Sequence, residues 1–157
     1  MGAEVKLFYL RPKVNISRVE VEKFLLAYGC VRVSAESDES QNFEINTKKG
    51  ITELPVSWKP SQVINYFSIR FSYGNPSSVI DQTFDLILAL NTKFGFEICS
   101  SDLLQKIGLD KKSLSTLRKQ IVERKKYFEK SSVRIDRPIR GGKETFDYIR
   151  KIKSSLE

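Results

Sequence analysis

Histidine is absent from this 157-residue sequence, and cysteine occurs only twice. Without histidine the chain has no Ser–His–Asp or Cys–His nucleophile system and no imidazole that titrates near neutral pH. Two cysteines, Cys30 and Cys99, cannot make a four-cysteine zinc site or a disulfide framework. We expect both to be small buried apolar side chains, and the sequence leaves open a single bridge between them. We expect no metal site and no cofactor.

Long apolar runs are also missing, because no stretch approaches the roughly 18 residues that a membrane span requires. The first residues include Glu4 and Lys6, and early charges of both signs do not fit a secretory signal. The composition, with 40% hydrophobic and 29% charged residues, is typical of a globular protein. We therefore expect a soluble, cytoplasmic protein that does not contact a membrane.

Acidic residues are too few to balance the basic ones, and the formal net charge is +8. The excess lies entirely in the last third, because residues 1–100 carry 11 basic and 11 acidic side chains, whereas residues 101–157 carry 16 and 8. Localised positive charge attracts polyanions. We therefore expect two parts, a neutral α+β domain over 1–99 and a basic helical part over 100–157.

Hydrophobic periodicity and turn residues divide the neutral part into strands and helices. They predict strands over 5–10, 30–36, from Phe43, over 62–73 and 96–99, helices over 17–28 and 76–94, and irregular or edge structure over 51–60. This order favours an α+β fold, a small antiparallel sheet with helices on one face, in which we suspect a ferredoxin-like split βαβ arrangement.

Capping residues mark the ends of the two helices. Ser17 with Glu20 forms a capping-box pattern, and Gly29 ends that helix. Asn75 is the expected cap of the second helix, with Pro76 at its first helical position.

Aromatic residues alternate along 65–73, which raises the question of an RNA-recognition sheet. Such modules expose aromatics within a Lys/Arg-Gly-Phe-type motif, and this stretch lacks the glycine pattern. We therefore expect Phe67, Ile69, Phe71 and Tyr73 to lie in the core.

The basic part begins with serine and aspartate at 100–102, which open a predicted short helix that Gly108 ends. A second helix restarts at 110–113 and runs to about Phe128 or Lys130. Residues 100–119 resemble the helix-turn-helix element of DNA-binding proteins, with Gly108 at its turn and Leu104 where the element usually has alanine. Its apolar positions are occupied by Leu103, Ile107, Leu109, Leu114 and Leu117.

The second predicted helix is amphipathic, with Leu114, Leu117, Ile121 and Phe128 on one face. The opposite face carries Lys112, Ser115, Thr116, Lys119, Glu123, Lys126 and Lys130. The resemblance implies that the early part of this helix enters the DNA major groove.

More cations follow around Gly141 and Gly142. In one interpretation residues 133–135 and 146–149 pair as a wing; a final amphipathic helix over 143–156 is the alternative that we favour. The residues that we predict to contact nucleic acid are Lys111, Lys112, Ser115, Thr116, Arg118, Lys119, Lys126, Lys130, Arg134, Arg137, Arg140 and Lys143.

These patterns predict a non-catalytic protein that binds nucleic acid, with duplex DNA favoured, through its basic part. Residues 1–99 would then form a homodimer or bind a protein partner. The alternative is a protein-interaction module, such as an immunity-like inhibitor of a bacterial toxin, without nucleic-acid contact. Asp81 and Asp85 lie one helical turn apart, but such pairs are common on polar helix faces, so we predict no enzyme.

Overall fold

A computed structural model describes residues 5–33, 35, 37–48, 50–100, 105–108 and 110–135. Seven strands and three helices lie in these ranges. The strands are β1 (Val5–Pro12), β2 (Val31–Arg32), β3 (Ser40–Asn46), β4 (Ile51–Trp58), β5 (Ile64–Ser72), β6 (Phe96–Ser100) and β7 (Gln105–Ile107), and the helices are α1 (Arg18–Tyr28), α2 (Ser77–Phe94) and α3 (Lys111–Ile135). Within these ranges, every helix is too short or too polar to cross a lipid bilayer.

The strands form one sheet in the order β2-β3-β4-β5-β1-β6-β7, and every pairing is antiparallel. Strand β1 lies between β5 and β6, which α2 connects, and this interleaved order is that of a split βαβ unit. The predicted α+β fold is confirmed. The sheet is larger than predicted, because β4 adds an internal strand over residues predicted to be irregular or edge structure and β7 extends one edge.

One face of the sheet packs against the helices. Phe8 of β1 contacts Phe84 of α2 with ring centroids 6.3 Å apart, and the hydroxyls of Thr52 and Thr83 share a hydrogen bond of 2.8 Å. The alternating residues of β5 are buried in this core, as predicted; they are Phe67, Ile69 and Phe71, with Tyr73 just beyond the strand. Alternation along β5 therefore sends its neighbouring residues to the other face.

Helix α1 begins at the predicted place but without the predicted capping box. Ser17 makes no side-chain cap bond; its backbone instead forms a β-bridge with Val63, and the Arg18 N–H donates to the carbonyl of Gln62. Contact with the chain just before β5 thus holds the start of the helix. Gly29 ends α1 with a φ of 105°, a conformation that glycine adopts without steric cost.

The start of α2 also differs from prediction, because Asn75 does not cap it. Asn75 is fully buried; its Oδ1 accepts from the N–H of Ile51 at 3.1 Å, and its Nδ2 donates to the Ile51 carbonyl at 2.8 Å. Pro76 is the N-cap residue instead. The buried amide serves the backbone of β4, whose polar groups need partners inside the protein.

Residues 51–60, predicted to be irregular or edge structure, contain the internal strand β4. Pro55 suggested an interruption, since proline cannot donate to a β-ladder. β4 and β5 pair in the same register on both sides of Leu54 and Pro55, and that register shifts only between Ser57 and Trp58, while pairing with β3 continues through Pro55. The β3–β4 ladder thus tolerates the absence of a donor N–H at Pro55.

The strand predicted over 30–36 is much shorter in the structure. Only Val31 and Arg32 are strand, and both side chains are exposed. This strand is the edge of the sheet and pairs on one side only, so it has no neighbour to bury an alternating face. Residues 34 and 36 lie outside the described ranges.

The predicted helix before Gly108 is wrong at Gln105–Ile107, which form strand β7. Ile107 pairs with Ile98 of β6, so this segment provides partners for backbone groups at that edge of the sheet. Leu103, Leu104 and Leu109 lie outside the described residues.

The following helix is confirmed, and it continues beyond the predicted end to Ile135. No proline or glycine interrupts the sequence before Pro138. Residues 133–135 are therefore helical and cannot be one arm of a wing. The final helix predicted over 143–156 lies outside the described residues.

Candidate functional site

Helix α3 starts at a local hydrogen-bonded turn. Asp110 accepts a hydrogen bond from the Ser113 N–H at 2.9 Å and another from the Ser113 hydroxyl at 2.6 Å. These bonds lower the pKa of the Asp110 carboxyl, which keeps an anion at the positive end of the helix dipole. A Cβ atom on Gly108 would lie 2.7 Å from Asp110 Oδ2, so a larger residue there would have to displace this carboxylate.

One side of α3 is fixed to the rest of the protein. Leu114, Leu117 and Ile121 are buried and belong to the same hydrophobic cluster as the sheet residues. Lys125 Nζ donates a 2.6 Å hydrogen bond to the carbonyl of Asn75, beside the start of α2. Because the buried side is held in this way, the opposite side of α3 has a defined direction toward solvent.

That opposite side carries the lysines predicted from the sequence. We call Lys112, Lys119, Lys126 and Lys130 the lysine face; all four are exposed, and none forms an ion pair with a residue in the described ranges. The first three are seven residues apart, which places them along one line at intervals of about 10.5 Å. The structure therefore brings these four predicted site residues together.

Other predicted contacts flank the lysine face. Lys111, Ser115 and Thr116 are exposed, and the Thr116 hydroxyl donates to the Lys112 carbonyl at 3.0 Å. Glu123 is an exposed anion on the same side. Across 111–130 the sequence has eight lysine and arginine residues against two glutamates, so the helix is strongly cationic despite this carboxylate.

Arg118, which we predicted to contact nucleic acid, lies on the flank of α3 that faces α2. Its Nε donates to Asp81 Oδ1 of α2, and the hydrogen bond and charge of Asp81 raise the pKa of the guanidinium. One of the predicted nucleic-acid contacts thus joins α3 to α2. It occurs at this position because Arg118 follows Leu117 on the flank of the buried side.

The remaining predicted cations are not described at the level of side chains. Arg134 lies within α3, while Arg137, Arg140 and Lys143 lie outside the described ranges.

Sequence reasoning missed two exposed aromatics on the other face of the sheet, Tyr9 and Tyr66. In β1, Phe8 and Leu10 are buried whereas Tyr9 and Arg11 are exposed. This alternation was a readable signal, because neighbouring residues of a strand point to opposite faces.

Both thiols are free, with Cys30 buried and Cys99 half-buried. The bridge that the sequence left open is therefore not formed.

The structure offers an ordered cationic helix face and a tyrosine-bearing sheet face as its candidate sites. The chain matches no protein-family model, no curated protein and no solved structure.

Proposed function

We propose that this protein binds duplex DNA, without catalysis, through the lysine face of α3. The observation that carries the proposal is the alignment of Lys112, Lys119 and Lys126 on the exposed side of a helix whose other side is anchored. The proposal rests on α3 alone and does not require a preceding helix.

Phosphate contacts are expected to dominate this binding. Lysine is a compact charge with flexible reach, whereas base recognition favours the planar fork of arginine. Lys112 and Lys130 are 18 residues apart, and the helical rise gives a separation of about 27 Å. That length matches about eight base pairs at about 3.4 Å per step. Because Arg118 is paired with Asp81, we expect little preference for DNA sequence.

The test is fluorescence anisotropy with a labelled duplex of about 20 base pairs in a salt series from about 50 to 200 mM. Three or four phosphate contacts give a slope of about −3 for log affinity against log salt concentration. The variant K112E/K119E/K126E should lose measurable binding, because its reversed charges repel the phosphates.

A matched control separates the lysine face from net charge. Lys23, Lys48 and Lys93 are exposed on other elements, and K23E/K48E/K93E changes the net charge by the same amount. This control should retain most of the affinity. Equal losses in the two triple variants, or unchanged binding by the lysine-face variant, would contradict the proposal.

A protein-interaction module is the second candidate, and exposed apolar residues on α1 favour it. Val19 and Leu26 are seven residues apart on one side of α1 and are 52% and 45% exposed. Such residues can contribute to a protein interface. This function would give a stoichiometric protein complex that V19D/L26D disrupts, with no binding of the wild-type protein to the duplex.

A further inference from the structure

Two tyrosines stand side by side on the sheet face opposite α1 and α2. Tyr9 lies on β1 directly across from Ser68 of β5, and Tyr66 lies two residues along β5 on the same face. Their ring centroids are 6.5 Å apart with an angle of 64° between the planes. The side chains are 43% and 45% exposed, so both rings present surface to solvent.

The two rings separate two concavities in this face. The larger, of 530 Å³, is lined by Tyr9, Tyr66 and Asn65 together with polar residues that include Ser57 and Ser68. The smaller, of 410 Å³, shares the two tyrosines and Asn65. We call Tyr9, Asn65 and Tyr66, with the two concavities around them, the tyrosine groove. Each concavity has an aromatic wall and groups that can exchange hydrogen bonds.

Cations lie at one side of the tyrosine groove. Arg11 lines the 410 Å³ concavity and also a neighbouring one of 350 Å³, which Lys13 and Lys59 line as well. All three side chains are exposed, and none forms an ion pair within the described part of the chain. They form a cluster of positive charge next to the aromatic rings.

Acidic groups define where an anion would not bind. Glu39 lines the 530 Å³ concavity, and Glu97, the register partner of Arg11 across β1 and β6, lines the 410 Å³ one. Arg70, also in the larger concavity, donates to Glu53 from its Nε at 2.9 Å, so its charge is offset there. A polyanion would therefore follow the side marked by Lys13 and Lys59, together with Arg11, whose charge Glu97 partly offsets.

We propose that the tyrosine groove binds a single-stranded nucleic acid, with bases stacked on Tyr9 and Tyr66 and phosphates at Arg11, Lys13 and Lys59. Only unstacked bases expose the flat surface that an aromatic side chain can contact, so this face selects single strands over duplexes. The exposed amide of Asn65 supplies hydrogen bonds to base edges, and the Ser57 hydroxyl, which donates to the Tyr66 carbonyl, can accept one. The site is separate from the lysine face and does not depend on it.

The charge and aromatic pattern favour this occupant over an extended apolar peptide. Hydroxyl and amide groups line the groove beside the rings, and the cations at its edge form no ion pair with any residue of the described ranges. Such a combination of stacking surfaces and positive charge is typical of single-strand binding.

The test is fluorescence anisotropy with labelled oligo(dT) and oligo(U) of about 12 nucleotides, which a single domain can span. Wild type should bind the single strands, and Y9A/Y66A should lose about tenfold or more in affinity, because stacking on both rings is removed. Y9F/Y66F keeps the rings and should keep most of the affinity. L26A, which truncates an equally exposed apolar residue on α1, is the control and should bind as wild type.

Two further measurements separate this site from the lysine face. Oligonucleotides that carry 5-iodouracil should photocrosslink to Tyr9 or Tyr66, as mapped by mass spectrometry of the peptides. Y9A/Y66A should also leave duplex binding unchanged, while K112E/K119E/K126E should leave single-strand crosslinks in the groove. Single-strand affinity that is unaffected in Y9A/Y66A, an equal loss in L26A, or crosslinks confined to α3 would overturn the proposal, whatever the result with duplexes.

Discussion

Arg118 of α3 and Asp81 of α2 form an ion pair between two neighbouring helices. The two side chains are 41% and 47% exposed, so solvent screens the pair and its contribution to stability is about 0–1 kcal/mol. Its main effect is to fix the direction of the Arg118 side chain. It holds a guanidinium against α2 that would otherwise be available to a ligand.

We expect D81N to strengthen duplex binding while changing the free energy of unfolding by less than about 1 kcal/mol. The substitution frees Arg118 and removes one anion close to the lysine face. Asp85 is exposed one turn further along α2, and D85N removes the same charge without releasing the arginine. Urea unfolding and duplex anisotropy measure the two effects; a D81N affinity no higher than that of D85N would be inconsistent with this account.

The next prediction concerns the stability contributed by Asn75, whose amide is fully buried. N75A removes the partners of both the N–H and the carbonyl of Ile51, and each buried unpaired group costs about 1–3 kcal/mol. We expect urea unfolding to show a loss of about 2–4 kcal/mol. N15A changes an exposed asparagine and should have little effect. A loss no larger than that of N15A would show that water or a local shift replaces the amide.

The packing of α3 can be tested at Leu117, which is buried on the side facing the protein. L117A should lower the free energy of unfolding by about 2–5 kcal/mol, because it removes buried methyl groups and leaves a cavity. K119A, two residues along on the exposed side, should cost less than about 0.5 kcal/mol. Equal, small effects of both substitutions in urea unfolding would mean that α3 is not docked as described.

Burial of the Cys30 thiol should make the stability of the protein fall at alkaline pH. Burial raises the pKa of Cys30 to about 11, against about 8.5 for a thiol in an unfolded chain. The folded state therefore holds the thiol proton to higher pH than the unfolded chain does. The stability that this difference contributes is complete below about pH 8.5 and is lost as pH rises toward 11. Burial, with smaller effects of Asp85 and the Cys30 thiolate, raises the pKa of Tyr28, which acts in the same direction.

We expect the free energy of unfolding to fall over this range, with about 3 kcal/mol of the fall due to Cys30. C30A lacks this group and should show a shallower fall, although its stability at neutral pH is lower. Urea unfolding at several pH values for wild type, C30A and C99A gives the comparison. Parallel pH profiles for wild type and C30A would disprove the assignment.

Periodicity in the sequence was sufficient where a segment packs against a core. Phe67, Ile69 and Phe71 alternate as a half-buried strand must, and Leu114, Leu117 and Ile121 repeat as a docked helix must, so both were predicted with the correct buried face. The exposed lysines follow from the same helical repeat. The basic side of the candidate site could therefore be predicted from the sequence alone.

Features that depend on residues distant in the sequence could not be predicted. The side chain of Asn75 looks like a helix cap locally, yet it binds Ile51, 24 residues away. Gln105–Ile107 lie in an apparently helical pattern but pair with β6, and Arg118 finds Asp81 only once α2 and α3 are side by side. Tertiary contacts override local preference in each case.

The position of β1 in the middle of the sheet has a consequence for protein synthesis. Phe8 pairs with Ile69 and with Ser100, so neither neighbour of β1 exists when that strand leaves the ribosome. At about 5–20 residues per second, some 60 further residues take about 3–12 s to make. During that interval the apolar side chains of β1 have no sheet partners, so the strand cannot be buried until β5 has been made.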